Sequence, residues 1–218
     1  MKRMLSAVAV PACLAVAIGV AGEKQRRTHQ SPDAPFDYYL LALSWAPNYC
    51  AEHPGNHSNE CRTGEQANFV LHGLWPQASE GDQPAHCAPA RPVSRAIVRH
   101  MLEYFPNRGL IQHEWQQHGV CSGLSPAEYF SKVERAVNEL KIPDEYRTLN
   151  PAQKFSVRDV EEKFASANNA PPDAFRISCH SGEMVSLQVC LNKNLKYQAC
   201  TSSASECRVP QVLMRATR

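Results

Sequence analysis

Residues 69–77 read FVLHGLWPQ. An apolar run, Asn68 to Leu71, has strand character and leads into His72, so the histidine is placed at the mouth of a strand. Gly73 beside it lets another backbone or a ligand approach closely. Trp75-Pro76 then offers a fixed aromatic face. A histidine at such a place is suited to proton transfer, and the tryptophan to stacking a base.

A second unusual stretch, HEWQQHGVC, spans residues 113–121. Two zinc-binding histidines on one helix need a spacing of four. Here His113 and His118 are five apart, which turns them about 140° away from each other. A zinc hydrolase is therefore the weakest reading, and the chain has no CxxC pair to support one. Glu114 and His118 do have the four-residue spacing that shares a helix face. His72, His118 and Glu114 together suffice for general acid–base chemistry.

Working outward, the 218-residue chain begins with Lys2, Arg3 and an apolar run from Leu5 to Ala21. Residues 1–22 have the form of a secretory signal peptide. Taking away Lys2 and Arg3 leaves 21 basic residues against 21 acidic ones, so no global field draws in a polyanion. Any such attraction has to be local. Eight of the nine cysteines lie beyond residue 22, and an even number in an exported chain implies disulfides. Eight cysteines allow 105 pairings, and spacing does not choose among them. The expected location is secreted or periplasmic, with no membrane contact after signal removal.

Residues 23–36 are polar with prolines and are expected to form a flexible lead-in. Asp37 to Trp45 (DYYLLALSW) is expected to be a buried strand. Residues 46–67 are expected as a disulfide-tied loop, and 77–92, with Gly81 and three prolines, as another. Helices are predicted over 93–105, 110–120, 125–140 and 156–167. Ser125-Pro126-Ala127-Glu128 is the best marked start, with a capping serine, proline at the first position and glutamate at the third. FRISC, MVSLQVCL and VPQVLM return to strand character. Strands, helices and strands in that order predict a single-domain α+β fold over 37–218.

LHGLWPQ and HEWQQHGVC resemble the two active-site segments of the ribonuclease T2 family. That family typically shows His-Gly-Leu-Trp-Pro and, later, His-Glu-Trp-x-Lys-His-Gly. LALSWAPNYC and MVSLQVCL resemble bacterial members. The resemblance covers about residues 37–215. It implies an α+β fold with a central antiparallel sheet, and a monomer acting on single-stranded RNA without metal or other cofactor. Cleavage would show little base specificity, giving a 2′,3′-cyclic phosphate and then a 3′-phosphate.

By the same resemblance, His118 is the general base, His72 the general acid, and Glu114 helps stabilise the phosphorane. His113 and Gln117 fall at phosphate-binding positions, and Trp75 and Gln77 at base-binding ones. The implied disulfides are Cys50–Cys61, Cys87–Cys121, Cys179–Cys207 and Cys190–Cys200. Gln117 departs from the pattern, which has lysine there, and points to lower activity. A protein of this fold with weak or lost catalysis, acting as an RNA-binding protein or toxin, is the rival reading. His29, His53, His57, His86, His100 and His180 are expected to be solvated or structural. Asn56-His57-Ser58 is a glycosylation sequon.

Overall fold

The computed structural model describes residues 36–62, 68–201, 204 and 207–216. The expected signal peptide and all of the lead-in except Phe36 lie outside the described residues. Phe36 is buried, with its ring 4.8 Å from that of Tyr39.

Among the described residues, six strands make one sheet: β1 (Tyr38–Trp45), β2 (Phe69–Gln77), β3 (Gln153–Ser156), β4 (Phe175–His180), β5 (Glu183–Asn192) and β6 (Gln211–Met214). Their order is β2-β1-β5-β6-β3, and β4 also pairs with β5. Every ladder is antiparallel except β5–β6, where Glu183 meets Leu213 in parallel. The sheet is thus mixed rather than wholly antiparallel. Five helices of the described residues accompany it: α1 (Ala46–Glu52), α2 (Arg95–Met101), α3 (Arg108–Gln117), α4 (Pro126–Glu139) and α5 (Val157–Asn168).

Local chemistry explains the helix starts. Ser125 and Glu128 form the expected capping box on α4. Ser156 caps α5 by accepting from the Asp159 amide, and Asn107 caps α3 by accepting from Leu110. Two elements differ from expectation. Residues 46–52 form α1 inside the predicted loop, beginning at Ala46-Pro47 where proline suits a first turn. Residues 153–156 pair with β6 although their sequence, QKFS, carries little strand character.

Along β1, Tyr39, Leu41, Leu43 and Trp45 face the main core, whereas Tyr38 and Leu40 face a smaller cluster with Cys190, against which Trp75 packs. Burying each such large side chain is worth about 1.5–3 kcal/mol. The four disulfides are Cys50–Cys61, Cys87–Cys121, Cys179–Cys207 and Cys190–Cys200. The second joins the segment after β2 to the turn after α3. Among the described residues, no helix is long and apolar enough to cross a membrane.

Candidate active site

His72 does not end its strand. Ala42 pairs with Gly73 and Leu43 with Leu71, so His72 is the extra residue of a bulge in the middle of β2. A bulge re-aims a side chain out of the regular ladder. The ring of His72 turns toward Ser44, whose hydroxyl lies 3.4 Å from Nδ1, and toward Glu114, whose Oε1 lies 3.7 Å from Nε2.

Glu114 reaches the strand because Gly73 has no side chain. A Cβ on Gly73 would lie 1.9 Å from Glu114 Oε2 and 2.6 Å from Trp75 Nε1. Into that space the Trp75 indole N–H donates a 2.7 Å hydrogen bond to Glu114 Oε2. The glutamate is fully buried, and its Oε1 has no hydrogen-bond partner. Burial raises its pKa to about 8, against the lowering effect of the Trp75 bond. The carboxyl is therefore mostly protonated at neutral pH.

His118 follows the last residue of α3, with φ −120° and ψ −48°, and starts a 3-10 turn over Gly119–Ser122. It and Glu114 therefore meet through Trp75 rather than along one helix face. The His118 and Trp75 rings stack at 5.1 Å and 29°, and His72 stands edge-on to Trp75 at 5.3 Å. Burial depresses the His118 pKa to about 3, helped by the nearby charges of His113, His72 and His86. His72 is also held below the ordinary imidazole range, by burial and then by His113. Its side chain is still 42% exposed, so solvent and ligand reach it.

His72 and His113 both line a cleft of about 570 Å³. Ser44, Leu71 and Leu110 continue its wall, and Tyr49 and His53, stacked at 4.3 Å, stand farther along. A cleft of this size matches ordinary small-ligand sites. Gln77 is buried, and its side-chain amide donates to the Pro76 carbonyl at 3.1 Å. Gln117 is half-buried, and its carbonyl accepts the His86 amide at 2.9 Å. His86, expected to be solvated or structural, is exposed and stands beside the end of α3, where its neighbour Cys87 is bonded to Cys121. Among the described residues, no group of three or more His, Cys, Asp or Glu side chains is arranged to hold a metal ion.

The family model described as the Ribonuclease T2 family matches residues 36–201. A ribonuclease of Aeromonas hydrophila is 44% identical over 94 residues, covering 43% of this chain and 41% of that protein. A probable ribonuclease of Haemophilus influenzae is 34% identical over 129 residues, covering 53% of this chain and 47% of that one. The match thus spans less than half the length of these two relatives. An RNase-related protein from Calystegia sepium superposes with a TM-score of 0.69 at 24% identity, covering 84% of this chain and 98% of that chain, a likeness of fold. With the family model spanning most of the sequence, and with both histidine segments inside it, the chain belongs to the ribonuclease T2 family.

Proposed function

We propose that the protein is an endoribonuclease that cleaves single-stranded RNA by transphosphorylation. One observation carries the reading: a fully buried carboxyl, with an unpartnered oxygen, lies within 3.7 Å of one histidine and is linked through Trp75 to another. In the first step His118, neutral at working pH, takes the proton of the 2′-hydroxyl. The 2′-oxygen bonds to phosphorus, the bond to the 5′-oxygen breaks, and His72 in its imidazolium form gives that oxygen a proton. The phosphate of bound RNA favours that form of His72. Hydrolysis of the cyclic phosphate runs the same transfers in reverse, with water in place of the leaving alcohol.

Glu114 acts as a neutral donor. Its Oε2 accepts from Trp75, which leaves a proton on Oε1 free for an equatorial phosphoryl oxygen. A preorganised donor in a dry site strengthens as charge develops. His113 faces the same phosphate from the cleft. The part of Trp75 left exposed takes the base on the 5′ side of the cut, and the leaving nucleotide enters the cleft beside His72 and His113. Gln77, being buried, would read a base only by turning outward. Four disulfides and the basic, apolar start of the sequence support an exported protein, either secreted or periplasmic. The chain is expected to act as a monomer without a cofactor.

The test is a defined RNA carrying one 2′-deoxy nucleotide, with end analysis of the products. That single bond should resist, the others should yield cyclic and then 3′-phosphate ends, and EDTA should not slow the reaction. Cutting at the deoxy position, or dependence on a divalent ion, would refute the mechanism. The neutral Gln117 is the observation that favours the rival, an RNA-binding protein without catalysis. RNA bound but left intact would establish that rival.

A further inference from the structure

The phosphorane gains negative charge, and Gln117 brings none to meet it. Two cations near in sequence are placed elsewhere. Arg108 begins α3, nine residues before Gln117, which is about 13 Å along the helix. Lys132 donates to the Lys193 carbonyl at 2.9 Å.

His86 is placed differently. Its amide donates to the carbonyl of Gln117 itself. Its next residue is bonded to Cys121, three positions beyond His118, with the two Cα atoms 5.0 Å apart. So the backbone of His86 is fastened to the catalytic turn on both sides of His118. The residue has φ +51°, one of four non-glycine residues in the left-handed region among those described. Such backbone is held only where its surroundings impose it, and it gathers at functional sites. The side chain is exposed, and it lies near enough to His118 to join His113 and His72 in lowering that imidazole's pKa.

We propose that His86 is a further catalytic residue, whose imidazolium contacts a non-bridging oxygen of the scissile phosphate and supplies the cation that Gln117 lacks. This rests on the ribonuclease reading above. In this role the residue transfers no proton; it lends charge alone. It explains how a chain without the family lysine keeps the rest of the catalytic set.

His86→Asn is the suitable variant, since asparagine tolerates left-handed backbone and carries no charge. In the full-length protein, single-turnover cleavage of a short RNA should slow about tenfold. That is less than the usual loss for one transition-state donor, because the group is exposed. The loss should fall on kcat, with KM and the melting temperature nearly constant. Adding Gln117→Lys should restore about tenfold in the His86→Asn background and give a smaller gain in the wild type, because one cation serves where two would be redundant. An unaltered rate in His86→Asn would overturn the assignment. So would a loss confined to KM, or an equal gain from Gln117→Lys in both backgrounds. An inert wild-type protein would remove the ribonuclease reading and this one together, whereas an active wild type with an unaltered His86→Asn would remove only this one.

Discussion

Glu114 and Asn168 are both buried polar side chains on helices, and they are treated in opposite ways. Asn168 ends α5 with its amide fully used: its oxygen accepts from the Lys141 amide and the Tyr197 hydroxyl, and its nitrogen donates to the Lys141 and Phe164 carbonyls. Glu114 has one partner, Trp75, and an oxygen left over. An unfilled buried group costs about 1–3 kcal/mol. Gln112 Nε2, His118 Nδ1 and the Tyr146 hydroxyl are left over in the same way, so a spare atom by itself does not make a site. What sets Glu114 apart is that its spare oxygen lies 3.7 Å from His72, which lines the cleft. The proposed mechanism uses that oxygen at the catalytic end of the molecule, whereas Asn168 serves the structural one.

The contrast breaks most readily at the histidines. His72→Ala and His118→Ala should each lower RNA cleavage by about 10²–10⁴-fold, because in the proposed displacement each holds one proton transfer. Melting curves should stay close to wild type. A folded variant with near-normal turnover would end the role assignment.

Glu114→Gln comes next. The amide oxygen still accepts from Trp75, and the amide N–H, a weaker donor, stands in for the acidic proton. Turnover should fall by about tenfold, less than the full loss of a transition-state donor, while stability at neutral pH holds or rises. Asn168→Ala should do the reverse. It strands the Lys141 groups and the Phe164 carbonyl, costs about 1–3 kcal/mol, and leaves cleavage at 25 °C intact. If Asn168→Ala lost activity without losing stability, the division between the two ends would be mistaken.

The smallest effect is on the pH dependence of stability. Glu114 has a folded pKa near 8 against an ordinary value of 4.5. Its stabilising contribution is complete below about pH 4.5 and is lost as pH rises toward 8. His118 has the opposite sign. Its folded pKa near 3 lies under the ordinary 6.5, so stability is lost as pH falls from about 6.5 toward 3. Melting temperatures measured from pH 3 to 8 should show Glu114→Gln flattening the neutral side and His118→Ala the acid side. Curves parallel to wild type would mean that neither group is shifted.

Local signals carried much of this into the sequence. The aromatic and aliphatic run at 38–45, the Ser125 capping box and Ser156 before α5 each act within a few residues, and each lies where expected. What escaped depends on two distant segments at once. The bulge at His72 is a relation between β1 and β2, and only the partner strand reveals it. Glu114 is buried because Gly73, 41 positions earlier, leaves room for it. His86 joins the site through a disulfide that closes 34 positions later. The parallel contact of β6 with β5 is likewise set by the return path of the chain, not by the four residues of β6.

The bulge has a consequence for how the sequence can change. Side chains alternate along a strand, so faces are assigned by counting, and His72 is the uncounted residue. Ahead of it Phe69 and Leu71 fall on odd numbers facing the core; beyond it the core residue is Leu74, an even one. Deleting it would leave Leu71, Gly73 and Leu74 in unbroken alternation opposite Leu43, Ala42 and Leu41, so every core residue of β2 would keep its face. The histidine is therefore an insertion that the sheet itself does not need. A one-residue deletion there should fold, and it should be as silent in RNA cleavage as His72→Ala.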